Sequence, residues 1–191
     1  DFAQVGRRAG GPRAQGATPA PGCAGIELLP ECHGIRLPAG VHLDLGGIAK
    51  GHTADVAVEH LLAQGASGAC VNLGGDVRVG GRPDGPHPWV VALDAGVDEV
   101  ALPRIALLDG AVCTSSTRKR RWRAGSADVH HLIDPASGRS VRNGLATVSV
   151  IARTAAQAEV LTKVVMVRGT AEGRELLESL GVAAVLVTDD G

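Results

Sequence analysis

Residues 44–55 read DLGGIAKGHTAD and residues 72–76 read NLGGD. Glycine has no Cβ to hold another group away, so the pairs Gly46-Gly47 and Gly74-Gly75, set among Asp44, Lys50, Asp55 and Asp76, could bring backbone against a charged ligand. From Ala54 onward apolar side chains recur at Ala57, Val58, Leu61 and Leu62, the stripe of an amphipathic helix over about residues 48–63. Lys50 and the first N–H groups then lie at a helix N-terminus, a place suited to phosphate. Ordinary glycine turns remain the other reading, because the string is neither a dinucleotide fingerprint nor a Walker loop.

Three more clusters carry polar chemistry. Thr114-Ser115-Ser116-Thr117 followed by Arg118-Lys119-Arg120-Arg121-Trp122-Arg123 sets hydroxyls and cations at a strand end. These groups could direct bonds to phosphate oxygens, or could simply keep an exposed strand from pairing. His130-His131-Leu132-Ile133-Asp134-Pro135 joins two imidazoles to a carboxylate before a turn at Pro135 and Gly138. In a strand the two histidines face opposite sides, which argues against a two-histidine metal site and leaves one to face a ligand. Glu159 and Lys163 share a helix face one turn apart, either as a helix ion pair or as part of a site.

DLGGIAKG, NLGGD, HHLIDPASGR and AEVLTKVV, in that order, resemble the motifs of the FAD:protein FMN transferase, or ApbE, family over about residues 37–188. The resemblance implies an α+β fold of mostly antiparallel sheets with packed helices, often grouped with the T-fold barrels. It implies transfer of FMN from FAD to a Ser or Thr hydroxyl of an acceptor flavoprotein, with release of AMP. FAD would be held by Gly46, Gly47, Lys50, Asp55, Gly74, Gly75, Asp76, Thr114, Ser115 and His131. Lys50 would neutralise charge, and His131, matching the family's HxxDP element, would give the proton a route with Asp134 or Asp76 as an orienting group. Mg²⁺ would be held by Glu159 and a backbone carbonyl of the first glycine loop, at Gly47. Two departures stand out: Ser116 replaces a usual glycine, and Glu159 and Lys163 replace the Asp and Thr that commonly hold Mg²⁺. A non-catalytic FAD-binding module and a metal-dependent FAD pyrophosphatase are the alternatives. The opening DFAQV also looks like an internal stretch of such a protein, so an N-terminal part that completes the flavin site is expected to be missing.

The elements that must position these groups are short. Residues 1–25 read as an irregular lead-in, and a single transferase-like domain is expected over 26–191. Strands are expected at 26–29, 41–45, 69–73, 77–79, 89–93, 104–108, 111–114, 129–133, 146–151 and 182–187, with helices at 48–63, 154–167 and 171–180. Many short strands with helices at intervals indicate an α+β protein. At 191 residues the chain can bury roughly 70% of its unfolded surface. One Phe, two Trp and no Tyr leave that core to small aliphatic side chains. A net charge of −1 gives no nucleic-acid footprint. The four cysteines lack CxxC spacing; Cys70 and Cys113 read as buried thiols, while Cys23 and Cys32 could pair after export. No run approaches the ~20 apolar residues of a membrane span. The excess of arginine over lysine, with so much Gly and Ala, points to a GC-rich bacterial genome and leaves open the cytoplasm or the outer face of the cytoplasmic membrane.

Overall fold

The computed structural model describes residues 18–85, 87–93 and 103–190. Most of the expected lead-in lies outside them, and residues 18–25 carry no helix or strand. In chain order the elements are β1 (Glu27–Leu29), a 3₁₀ turn (Pro30–Cys32), β2 (Gly34–Arg36), α1 (Ala49–Ala63), β3 (Gly68–Leu73), β4 (Asp76–Gly81), β5 (Trp89–Ala92), β6 (Arg104–Leu107), β7 (Gly110–Ser116), β8 (Arg121–Ala124), β9 (Ala127–His130), β10 (Ile133–Asp134), β11 (Arg139–Ser140), β12 (Leu145–Ala152), α2 (Ala155–Arg168), α3 (Thr170–Ser179) and β13 (Ala183–Thr188). The frame is a five-stranded sheet in the order β13-β12-β7-β4-β3, antiparallel at every pairing. This is the expected α+β architecture.

Alternation along β7 sorts the core into two faces. Ala111 and Cys113 join Val148, Val150, Ala155, Ala158, Val165 and Met166 under the helices, while Val112 joins Val77, Val79, Leu93 and Leu107 on the face covered by the β5–β6 hairpin. The helices come close because their contact residues are small. A Cβ built on Gly51 would stand 2.4 Å from the Ala155 carbonyl oxygen, so α1 and α2 touch backbone to backbone there. Gly80 likewise lets Val58 of α1 rest on β4.

Two expected strands differ. Residues 41–45 form no strand. The run at 129–133 is broken at His131, with β9 ending at His130 and β10 starting at Ile133. Apolar content predicts a strand but cannot say whether a partner edge is there to take its hydrogen bonds.

Candidate functional site

Lys50, in the first turn of α1, and Asp76, the first residue of β4, form an ion pair, and the Lys50 Nζ also donates to Glu159 Oε1 of α2 at 2.8 Å. Glu159 is fully buried, and its other oxygen accepts from the Gly51 N–H at 2.7 Å. Lys163 Nζ, one helical turn further along α2, donates to the same Oε1 at 3.1 Å. Asp76 Oδ1 accepts from the Thr114 N–H at 3.1 Å, tying β7 to the group. Two buried carboxylates and two ammonium groups therefore join α1, β4, β7 and α2 at one point.

Burial is the largest influence on Lys50, Glu159 and Lys163. It pulls the Lys50 pKa down, yet the hydrogen bonds and charges of Asp76 and Glu159 outweigh it and leave Lys50 above the usual lysine value. Burial alone would raise Glu159, but the Lys50 bond, the Gly51 N–H and Lys163 hold it below the ordinary carboxylate range. For Lys163 burial wins over the attraction of Glu159 and Asp76, and its pKa falls. Removing one partner would leave an uncompensated buried charge, at a cost greater than the pairing itself contributes.

The ammonium groups open into a cleft of about 430 Å³. Lys50, Lys119, Arg120, His131 and Lys163 line it together with Gly46, Gly74 and Gly75 and the apolar Val77, Val90, Leu93 and Val112. Among the described residues no Asp or Glu lines it, since Asp76 and Glu159 lie behind the ammonium groups. Such a lining concentrates positive potential at the mouth of the cleft.

His131 meets the cleft, whereas His130 is buried and its Nε2 pairs with the Val141 carbonyl at 2.9 Å. The opposed directions were expected from strand alternation; the bend at His131 produces them instead. The buried Nδ1 of His131 has no hydrogen-bond partner. Burial, then the charge of Arg120, lowers its pKa to about 4, so the ring is neutral near pH 7.

Several expected roles are corrected. Asp55 is turned away from the cleft: its two carboxylate oxygens accept from Ala155 N and Ala156 N at 2.8 and 2.9 Å, capping α2. Arg78 Nε also lies 3.2 Å from Asp55 Oδ1, near enough for an ion pair but off the line of a hydrogen bond. The Asp134 carboxylate is spent on its own turn, accepting from Ser137 Oγ at 2.6 Å and Ala136 N at 2.9 Å, which hold its pKa down. It does not orient His131. The α1 N-terminus is no open phosphate cradle, because Ala49 N bonds Leu45 O, Gly51 N bonds Glu159 and His52 N bonds Ile48 O. Gly74 and Gly75 are required by backbone angles rather than by close approach. Their φ values of +65° and +98° make the two-residue β3–β4 hairpin turn, and a Cβ on either would meet nothing within 4 Å. Gly47 is absent from the cleft lining.

The hydroxyl run is split between the two faces of β7. Thr114 Oγ1 pairs with Ser149 Oγ at 2.8 Å and Ser115 Oγ with the buried Thr162 Oγ1 at 2.7 Å, and both Thr114 and Ser115 line the cleft. Ser116 accepts from Arg118 N at 3.1 Å and so shapes the turn that carries Lys119 and Arg120 into the cleft. Cys70 is exposed on the cleft lining rather than buried, Cys113 is buried as expected, and all four cysteines are free. Lys119, Arg120 and Asn72 were not singled out from the sequence, although the basic run containing the first two was its visible signal.

Mg²⁺ does not fit Glu159 as it stands. Both favourable sites on Oε1 are taken by ammonium groups at 2.8 and 3.1 Å, and a cation on that carboxylate would meet two like charges. Among the described residues no cluster of three or more His, Cys, Asp or Glu side chains could hold a metal ion.

These features define an α+β protein with a cleft lined by cations and apolar side chains. The chain belongs to the ApbE family, whose model matches residues 9–186. It is 35% identical over 153 residues to the FAD:protein FMN transferase of Rhodobacter capsulatus, covering 79% of this chain and 29% of that protein. It is 30% identical over 155 residues to the enzyme of that name in Vibrio cholerae, covering 79% and 46%. The ApbE protein of Thermotoga maritima superposes with a TM-score of 0.77 at 30% identity, over 87% of this chain and 55% of that one. The apo flavinyl transferase ApbE of Pseudomonas stutzeri gives 0.73 at 29% identity, over 87% and 51%. The chain thus spans less than half the length of these two curated relatives.

Proposed function

We propose that this chain transfers FMN from FAD to a Ser or Thr hydroxyl of an acceptor flavoprotein. The observation that carries the reading is a cleft lined by both cations and apolar side chains, with no carboxylate on its described lining. A diphosphate needs the first and a flanking aromatic ring the second.

In the reaction the acceptor hydroxyl oxygen bonds to the FMN-side phosphorus, that phosphorus loses its bond to the bridging oxygen, and AMP departs. The chemistry needs positioning and charge stabilisation more than covalent help. Lys50 is held rigidly by Asp76 and Glu159, which use two of its three N–H donors and leave one for a diphosphate oxygen. Lys119 and Arg120 add positive charge from the β7–β8 turn. His131, which lines the cleft and whose ring is neutral near pH 7, receives the hydroxyl proton. The dianionic diphosphate offsets the cations that depress its pKa and makes it a better base once FAD is bound.

The test is incubation with FAD in the presence and absence of a candidate acceptor. Transfer gives AMP only with acceptor and flavin that stays on protein after denaturation. AMP with free FMN and no acceptor would mean hydrolysis, and no product with FAD bound would mean a binding module.

A further inference from the structure

The two ammonium groups on Glu159 do not have equal work. Lys50 bonds two carboxylates and retains one N–H donor, whereas Lys163 makes one hydrogen bond, to Glu159, and retains two. Its side chain keeps 26% of its surface accessible, and that surface lies on the cleft. Glu159 is sealed behind it at 0%. The carboxylate therefore cannot reach a ligand, and the ammonium in front of it can. A buried carboxylate that holds a lysine at a fixed height is a support for that lysine, in the way that an outer partner fixes a ligand-binding group.

We propose that Lys163, positioned by Glu159, supplies the positive charge at the diphosphate that a divalent cation would otherwise supply, so that FAD is bound without a divalent metal. The inference rests on the reading of the cleft as an FAD site. The chemistry agrees: an ammonium directs N–H bonds to phosphate oxygens and lowers the cost of charge gathering on the departing AMP oxygen. It also excludes its competitor, because a metal bound at the same oxygens would stand beside two fixed cations. Lys163 is here a binding residue and Glu159 a positioning residue.

The experiment titrates the purified full chain with FAD, with ADP and with riboflavin, each in EDTA and in millimolar Mg²⁺. FAD and ADP are expected to bind equally well, within about twofold, in the two buffers. Lys163→Met should weaken FAD and ADP about tenfold or more, as expected for a lost charged contact, and leave riboflavin unchanged. Lys163→Arg should restore most of the loss, and thermal unfolding of both variants checks that the fold is kept. If the methionine variant does not fold, the arginine and natural proteins still decide through their metal dependence. FAD binding that requires Mg²⁺, or that survives Lys163→Met unchanged, overturns the role of Lys163 alone. Failure to bind FAD in either buffer overturns the reading of the cleft, and this proposal with it.

Discussion

Asp55→Ala separates a structural carboxylate from a nucleotide contact. The natural side chain accepts two backbone N–H bonds at 2.8 and 2.9 Å from the start of α2 and stands 3.2 Å from Arg78 Nε, with a residue exposure of 7%. Hydrogen bonds to a charged acceptor contribute about 1.5–3 kcal/mol each. Removing one partner of a buried ion pair costs about 3–5 kcal/mol. These effects overlap, since one carboxylate makes them all, and Arg78 keeps Asp109 at 2.6 Å and the Gly110 carbonyl at 3.1 Å. The expected loss is therefore about 3–5 kcal/mol, a large share of the ~5–15 kcal/mol that holds a domain folded. For a chain of this size that lowers Tm by roughly 6–20 °C, at about 2–4 °C per kcal/mol. Thermal unfolding of Asp55→Ala and Asp55→Asn measures it, with the alanine variant the less stable because asparagine still offers one acceptor oxygen. FAD titration of the asparagine variant, well below its Tm, should give an affinity within about twofold of the natural protein. A Tm change below about 2 °C together with a tenfold loss of FAD affinity would refute the reasoning and return Asp55 to the nucleotide.

Gly51→Ala should lower Tm by several degrees even though alanine is the better helix former by about 1 kcal/mol. The new Cβ would meet the Ala155 carbonyl at 2.4 Å and force α1 from α2, and an unchanged Tm would mean that the helices cross further apart. His131 sets a pH dependence. Its folded pKa of about 4 lies below the unfolded 6.5, so between these values the unfolded chain binds more protons and stability falls as pH drops through that window. Above pH 6.5 its contribution is flat. Allowing for partial exposure, the change is about 1–2 kcal/mol. Denaturant unfolding across pH 4–7 should show it in the natural protein and not in His131→Gln; equal slopes would place His131 in water.

Much of the frame was legible because it is local. The 3.6-residue stripe marked α1, Gly74-Gly75 between apolar runs marked the β3–β4 hairpin, and Gly181 marked the end of α3 and the approach to β13. Family motifs led to Lys50, Asp76, His131 and Glu159, which the fold does gather. What the sequence hid is the direction of each side chain. Asp55 has its partners a hundred residues away, on a helix whose approach depends on Gly51, and nothing near position 55 signals them. Asp134 was assigned an orienting role from proximity to His131 in sequence, yet its nearest donors are in its own turn. Lys119 and Arg120 look like any basic turn until Ser116 and the β7–β8 connection bring them to the cleft. Glu159 reads as a metal ligand or a helix pair until Lys50, 109 residues earlier, is seen on the same oxygen.

The most direct measurement is a crystal structure with FAD bound. The diphosphate is expected against the Lys50 and Lys163 ammonium groups, with the reacting phosphorus within proton-relay reach of His131 and one ring against the apolar side chains of the cleft. A diphosphate held instead in the separate polar pocket lined by Arg121, His130 and Arg142 would contradict it.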